Sequence, residues 1–172
     1  MSDPIPVLRG ERVALRPLSE ADLPGLTAAL NEPGIREWWW GYDEARLRAE
    51  TLDDPDVTAY AIELGGELIG LIMYTEELDP CYKSAAIDLS VDARHVGQGL
   101  GTDALRTLAR YLIEQRGHHR ITLDPAFSNA RAIAAYKKVG FKPVGVMRGY
   151  ELGPDGTWHD ALLMDLLAEE LV

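Results

Sequence analysis

Arg94-His95-Val96-Gly97-Gln98-Gly99-Leu100-Gly101-Thr102 is a glycine-rich turn between a predicted strand and a predicted helix, and the rest of the chain is ordered around it. Glycine at three alternate positions lets the main chain come close to a ligand. Ahead of it, residues 85–91 (Ala-Ala-Ile-Asp-Leu-Ser-Val) read as a strand. Behind it, a helix is predicted to about Arg116, stopped at Gly117. Leu105, Leu108, Ala109, Leu112 and Ile113 follow the i, i+3, i+4, i+7, i+8 stripe of a helix packed on a core. The mouth of such a helix offers unpaired N–H groups and the positive end of its dipole, a seat for phosphate or pyrophosphate. No Gly-Lys-Ser/Thr follows, so this is not a P-loop. The third glycine falls one position early for the dinucleotide fingerprint, and the loop follows the fourth strand rather than the first. At this point a plain tight turn is the alternative.

Reading outward, residues 12–18 form a strand ending near Pro17. Ser19-Glu20-Ala21-Asp22 opens a helix that runs to about Leu30. Asp43 caps a short second helix to about Leu52. Residues 58–64 and 68–74 are strands joined by Gly65-Gly66-Glu67, and residues 75–84 are a loop. Residues 120–124 form a strand ended by Pro125. A helix over 129–139 is closed by Gly140. Residues 141–148 and 158–166 close the chain as strands, turned by Gly153-Pro154-Asp155-Gly156. The order is β-α-α-β-β-β-α-β-α-β-β, which makes the chain an α/β or α+β protein. Without repeats or a linker, residues 1–172 are expected to form one domain.

Composition narrows the functions. The chain is 47% hydrophobic and carries a net charge of −11 from 28 acids and 17 bases. That balance argues against a nucleic-acid partner, because phosphate contacts need a basic face. No apolar run reaches the length of a membrane span. The opening Met1-Ser2-Asp3-Pro4-Ile5-Pro6 lacks the pattern of a secretory leader, so a cytoplasmic location is expected. The lone Cys81 suits a reducing compartment. The four histidines lack metal-ligand spacing, and no metal is expected. The charge is uneven: the first 92 residues hold 19 acids and 7 bases, and from Asp43 to Pro80 there are 11 acids against Arg46 and Arg48. This half is either a solvated acidic surface or a face that draws in a cation.

The glycine stretch, taken with Ser128-Asn129-x-x-Ala132-x-x-x-Tyr136-x-Lys138-x-Gly140-Phe141, resembles the GNAT superfamily of acyl-CoA-dependent N-acetyltransferases. The opening Leu8-Arg9-Gly10-Glu11-Arg12-Val13-x-Leu15-Arg16-Pro17-Leu18 is similar to the same families, so the resemblance covers nearly the whole chain. Leu123-Asp124-Pro125, Ser128-Asn129, Arg131-Ala132-Ile133 and Tyr136, with Ile87-Asp88-x-Ser90, most resemble the aminoglycoside 6'-N-acetyltransferases. The resemblance implies a mixed, mostly antiparallel central sheet flanked by helices. It splays open between the fourth and fifth strands of this reading, residues 85–91 and 120–124. The pantetheine arm of acetyl-CoA would lie in that gap, with Leu89 and Val91 on one wall and Asn129, Ala132 and Tyr136 on the other. The pyrophosphate would take backbone N–H groups of Val96, Gly97, Gln98, Gly99, Leu100, Gly101 and Thr102, and Arg94 would add charge or stay solvated.

In such a transfer an amine attacks the thioester carbonyl, a tetrahedral oxyanion forms and thiolate leaves. The amine must lose a proton. Alternation on residues 85–91 puts Ile87, Leu89 and Val91 on one face and Ala86, Asp88 and Ser90 on the other. An acid between small residues leaves room for a ligand, which makes Asp88 the candidate base, acting directly or through water. The resemblance places a catalytic acidic residue at the same position. The alternative is a hydrogen-bonded or solvent-facing aspartate. Tyr136, by resemblance, would protonate the departing thiolate, although its helix stripe also suits core packing. Asp124 either accepts hydrogen bonds from a cationic substrate or caps the turn at Pro125. Backbone N–H groups near Leu89 and Val91 would receive the oxyanion.

Trp38, Trp39, Trp40 and Tyr42 precede the acidic segment, and three adjacent indoles cannot all face one core. With Asp43, Glu76, Glu77 and Asp79 they would form an aromatic and carboxylate wall suited to a polyamine or aminosugar. A dimer contact or a partly buried helix is the alternative, and the chain is expected to be a monomer or a homodimer. The leading reading is acetyl transfer to the 6'-amine of an aminoglycoside. A protein N-terminus or lysine is the other acceptor weighed. A non-catalytic acyl-CoA sensor and a nucleotide-binding regulator are the readings of other classes.

Overall fold

A computed structural model describes residues 4–172; Met1–Asp3, the start of the N-terminal segment read above, lie outside the described residues. In chain order the elements are β1 (Leu8–Arg9), β2 (Val13–Pro17), a short 3-10 turn (Glu20–Asp22), α1 (Leu23–Leu30), α2 (Glu44–Glu50), β3 (Val57–Leu64), β4 (Glu67–Glu77), β5 (Ser84–Val91), α3 (Leu100–Glu114), β6 (Arg120–Leu123), α4 (Ala130–Lys137), β7 (Lys142–Leu152), β8 (Trp158–Leu167) and a closing 3-10 turn (Ala168–Glu170). The strands form one sheet in the order β1-β2-β3-β4-β5-β6-β8-β7. Every pairing is antiparallel except that of β5 with β6.

Alternation along the central strands divides the core in two. On β3, Tyr60 and Ile62 join the cluster under α3, whereas Ala59 and Ala61 join the cluster under α1 and α2. On the first side α3 buries Leu100, Leu105, Leu108 and Leu112 completely. Each such leucine stabilises the fold by roughly 1.5–3 kcal/mol relative to exposure. On the second side, Leu23, Leu26 and Leu30 of α1 and Leu47 of α2 are buried against Leu71 of β4.

The splay expected from the resemblance is present. β5 and β6 pair only at Ala85↔Ile121 and Ala86↔Thr122, while β5 stays paired to β4 as far as Val91↔Gly70. Beyond Ala86 the sheet therefore opens, and Asp88 stands at the start of the opening.

The structure departs from the sequence reading in four places. A strand, β1, precedes the first one predicted, so the splayed strands are the fifth and sixth. It is fastened by Asp103 of α3, whose buried carboxylate accepts the amides of Glu11, Arg12 and Val13 at 3.0, 2.8 and 3.0 Å. The helix opened at Ser19 begins as a 3-10 turn, because the Asp22 carboxylate turns back to the Ser19 amide and pairs with Arg16. β4 continues through Glu77 into the expected loop. β7 runs on to Leu152.

Candidate active site

The opening between β5 and β6 is a cavity of about 830 Å³. The glycine loop forms part of its wall. Gly97 and Gly99 both sit at φ +79, left-handed backbone that favours glycine, and Gly99 is the residue before α3. Among the described residues no amide from Val96 to Thr102 donates a well-formed hydrogen bond. Val96, Gly97, Gly99, Gly101 and Thr102 line the cavity, so with the first turn of α3 the loop brings free donors of the kind an anion takes to its wall. A side chain at Gly97 or Gly99 would point into open space, so the left-handed backbone, not crowding, is what calls for glycine there.

Asp88 lies further in. Its residue neighbours Ile87 and Leu89 are buried in the core, and its own side chain opens into the cavity, as alternation requires. One carboxylate oxygen accepts the Leu89 amide at 2.9 Å, so that N–H is held by Asp88. The carboxylate is reachable from the cavity but enclosed by protein over the longer range that sets its electrostatics. Burial first, and then the negative charge of Asp124, push its pKa up to about 7. Tyr136, half-buried on α4, lines the same cavity. Burial above all, with Asp88 and Asp124 adding to it, raises its phenol well above the ordinary value, so it keeps its proton at neutral pH. Asn129 caps α4, its Oδ1 accepting the Ala132 amide at 3.2 Å, and both residues line the cavity.

Asp124 follows β6 and faces the cavity. It accepts the Tyr150 hydroxyl at 2.8 Å, and no amide of the following turn reaches it among the described residues. Trp38, Trp39, Trp40 and Tyr42 all line the cavity, with Trp39 buried and the others half-buried. The Tyr42 hydroxyl donates to Glu50 at 2.5 Å, and Arg46 lies 4.1 Å over its ring. Leu89, Val91, Val96, Gly97, Gly99, Gly101 and Thr102 are also in the lining.

Five expected residues are elsewhere. Glu76 shares the face of its partner Ala85, opposite to that of Asp88, and its carboxylate binds Arg116 at 2.7 Å and His118 at 2.7 Å. Burial raises its pKa, but these two partners outweigh it and hold it below the ordinary carboxylate value. Asp79 closes its own loop by accepting the Cys81 amide at 2.8 Å. Arg94 points to Glu67 and Asp92. The Gln98 side chain folds back onto the Arg94 carbonyl. Leu100 is fully buried in the core, so only its amide is left for a ligand.

Six ionisable lining residues have no site role in the sequence reading: Arg46, His95, Arg131, Lys138, Tyr150 and Glu151. Arg131 in α4 and Lys138 just past its end are seven apart, a helical spacing that a periodicity search can find. Tyr150 and Glu151 lie beyond the predicted end of their strand and gave no signal. Burial, with Asp124 next, raises the Glu151 pKa. The lining thus holds two chemically different groups, the free amides of the glycine loop and the mutually interacting carboxylates of Asp88, Asp124 and Glu151, with the Arg46 charge bearing on Glu151. Among the described residues no group of His, Cys, Asp and Glu is arranged to hold a metal ion, and no helix is long and apolar enough to cross a membrane.

A model of the acetyltransferase (GNAT) family matches residues 23–141. The chain is 34% identical over 166 residues to the aminoglycoside N(6')-acetyltransferase type 1 of Klebsiella pneumoniae, an alignment covering 85% of this chain and 80% of that protein. The solved structure of AAC(6')-Ib with ribostamycin and coenzyme A superposes with a TM-score of 0.75 at 31% identity, over 93% of this chain and 96% of that one. RimJ of Mycobacterium smegmatis, solved with CoA-disulfide, superposes with a TM-score of 0.80 at 28% identity, over 96% of this chain and 88% of that one.

Proposed function

The chain belongs to the acetyltransferase (GNAT) family and is an acetyl-CoA-dependent N-acetyltransferase acting on amines, and from that premise we propose that its acceptor is a small polycation, foremost the 6'-amine of an aminoglycoside. The observation that carries the finer reading is the make-up of the cavity lining, with the free amides of the glycine loop and the carboxylates of Asp88, Asp124 and Glu151. A thiol carrier fits the first group and an ammonium-rich acceptor the second. The indoles of Trp38 and Trp40 beside the carboxylates suit an aminosugar, whose apolar faces stack while its ammonium groups pair. A net charge of −11 also favours the approach of a polycation.

Acetyl-CoA supplies the acetyl group as an activated thioester. The amides of Val96–Thr102 hold its diphosphate, and Asn129 and Ala132 border its arm. Asp88 receives the proton of the attacking amine, directly or through water. With a pKa near 7 it is a stronger base than an ordinary aspartate while still ionised in a useful fraction at neutral pH. Asp124 and Glu151 hold ammonium groups of the acceptor. Tyr136, protonated at neutral pH, gives its proton to the departing sulfur, a role supported by its raised pKa and its place in the cavity lining.

The deciding experiment follows thiol release from acetyl-CoA with a kanamycin-type aminoglycoside, spermidine and a short peptide with a free N-terminus, and maps the product by mass spectrometry. The expected result is the highest kcat/KM for the aminoglycoside, with one acetyl group on its 6'-amine. A peptide preferred over both polycations overturns the reading in favour of a protein N-terminal acetyltransferase.

A further inference from the structure

Tyr150 reaches the cavity because β7 is deformed there. Its pairing with β8 runs through Met147↔Ala161 and resumes at Glu151↔His159, so Arg148, Gly149 and Tyr150 face the single residue Asp160. Gly149 takes φ +58 in this bulge, and its amide donates to Asp160 Oδ1 at 2.8 Å. The same Asp160 accepts the Phe127 amide through its carbonyl at 2.9 Å, and Ala126 bridges to Ala161. One residue of β8 therefore fixes both the bulge that carries Tyr150 and the segment that follows Asp124. The phenol donates to Asp124 Oδ2 at 2.8 Å across a separation of 26 residues. Bulges beside a site commonly re-aim one side chain, and here the re-aimed side chain meets a cavity carboxylate that has no other hydrogen bond among the described residues.

We propose that Tyr150 is a positioning residue for the amine acceptor, holding the Asp124 carboxylate in one orientation so that its remaining oxygen meets the acceptor's ammonium. An exposed carboxylate at the end of a strand samples several rotamers, and only some face the cavity. A charge-assisted O–H···O bond selects one of them before the acceptor arrives. The proposal rests on the reading of the acidic group as the acceptor site.

The test is a double-mutant cycle with Tyr150→Phe and Asp124→Ala, which leaves no acceptor for the phenol. Tyr150→Phe keeps the ring and removes the donor. We expect it to raise KM for the amine about tenfold, with KM for acetyl-CoA unchanged and kcat little altered. In the Asp124→Ala background the same substitution should add nothing. A second readout needs no turnover. The hydrogen bond to Asp124 first, and burial next, push the Tyr150 phenol up to about 12. NMR of labelled tyrosines should find one phenol whose titration falls toward the ordinary value in Asp124→Ala. An unchanged amine KM in Tyr150→Phe, an equal effect in both backgrounds, or no tyrosine that moves in Asp124→Ala overturns the proposal. A wild type that acetylates no amine overturns the acceptor reading and takes this proposal with it. Normal wild-type turnover with an indifferent Tyr150→Phe overturns the proposal alone.

Discussion

The charge of Asp124 bears on Asp88 across the mouth of the splayed strands and, after burial, is the main reason the Asp88 carboxyl is pushed up to about 7. If Asp88 is the base, kcat/KM should rise with pH through about 7 and level off above it. Asp88→Asn should abolish that limb and lower amine acetylation at least tenfold, with acetyl-CoA affinity kept. The stability effect has the opposite sign. Folding raises this pKa from 3.8 to about 7, so the stability Asp88 contributes is full below the lower value and is lost as pH rises through the upper one. At pH 8 the ionised group opposes folding, and Asp88→Asn should raise Tm by about 2–4 °C. Rate profiles and thermal melts across pH check both. A slower enzyme that is not stabilised at pH 8 would sink the burial argument.

Gly99→Ala should separate the two groups of the cavity lining. Gly99 sits at φ +79 ahead of α3, and a side chain there costs about 1–2 kcal/mol of backbone strain. Relief would rotate the amides of the glycine loop. KM for acetyl-CoA should rise about tenfold while KM for the amine holds. Initial-rate kinetics with each substrate varied in turn checks this, and an amine KM that rises equally would show that the loop supports the whole cavity rather than its own amides alone.

The legible and illegible parts of this molecule differ in physical kind. The glycine loop, the stripe of α3 and the alternation around Asp88 are local patterns, and each is where it was expected. Acidity and nearness in sequence suggest that Glu76 and Asp79 belong to the acceptor wall. Strand parity puts Glu76 on the face of Ala85 instead, and the run of β4 to Glu77 that fixes this parity fell inside the expected loop. Tyr150 and Glu151 were invisible because their placement depends on a bulge held by Asp160 and on a strand longer than its hydrophobic pattern. Asp103, too, reads as an ordinary acid in the first turn of a helix. Its work is to fasten a segment about ninety residues away.

That fastening gives a stability prediction. Asp103→Ala leaves the amides of Glu11, Arg12 and Val13 without their acceptor, in a place that is partly closed to water. The loss should be about 3 kcal/mol. For a chain of this size that lowers Tm by roughly 6–12 °C. Asp103→Asn, which keeps one acceptor oxygen, should lose about half as much. Thermal denaturation at pH 7 measures both, and equal losses in the two variants would mean that the charge, not the number of bonds, holds β1 and β2 to α3.

Trp40→Phe asks whether the indole loop and the β7 arm move as one wall. The Trp40 indole N–H donates to the Leu152 carbonyl at 2.8 Å, and Arg46 holds the Trp40 carbonyl at 3.0 Å, so the loop is tied to the strand that carries Tyr150 and Glu151. Phenylalanine keeps an aromatic face but cannot donate. Loss of one such bond, about 1 kcal/mol, should raise the amine KM roughly fivefold. The acetyl-CoA KM should hold, because the bond ties down the strand of Glu151 and not the glycine loop. Hydrogen exchange should quicken at the end of β7 and not in α3. If Trp40 instead serves only as a stacking surface, Trp40→Phe will leave both the exchange and the amine KM unchanged, and Trp40→Ala will raise the KM without quickening β7. The exchange rate of β7 thus separates a tether from a platform.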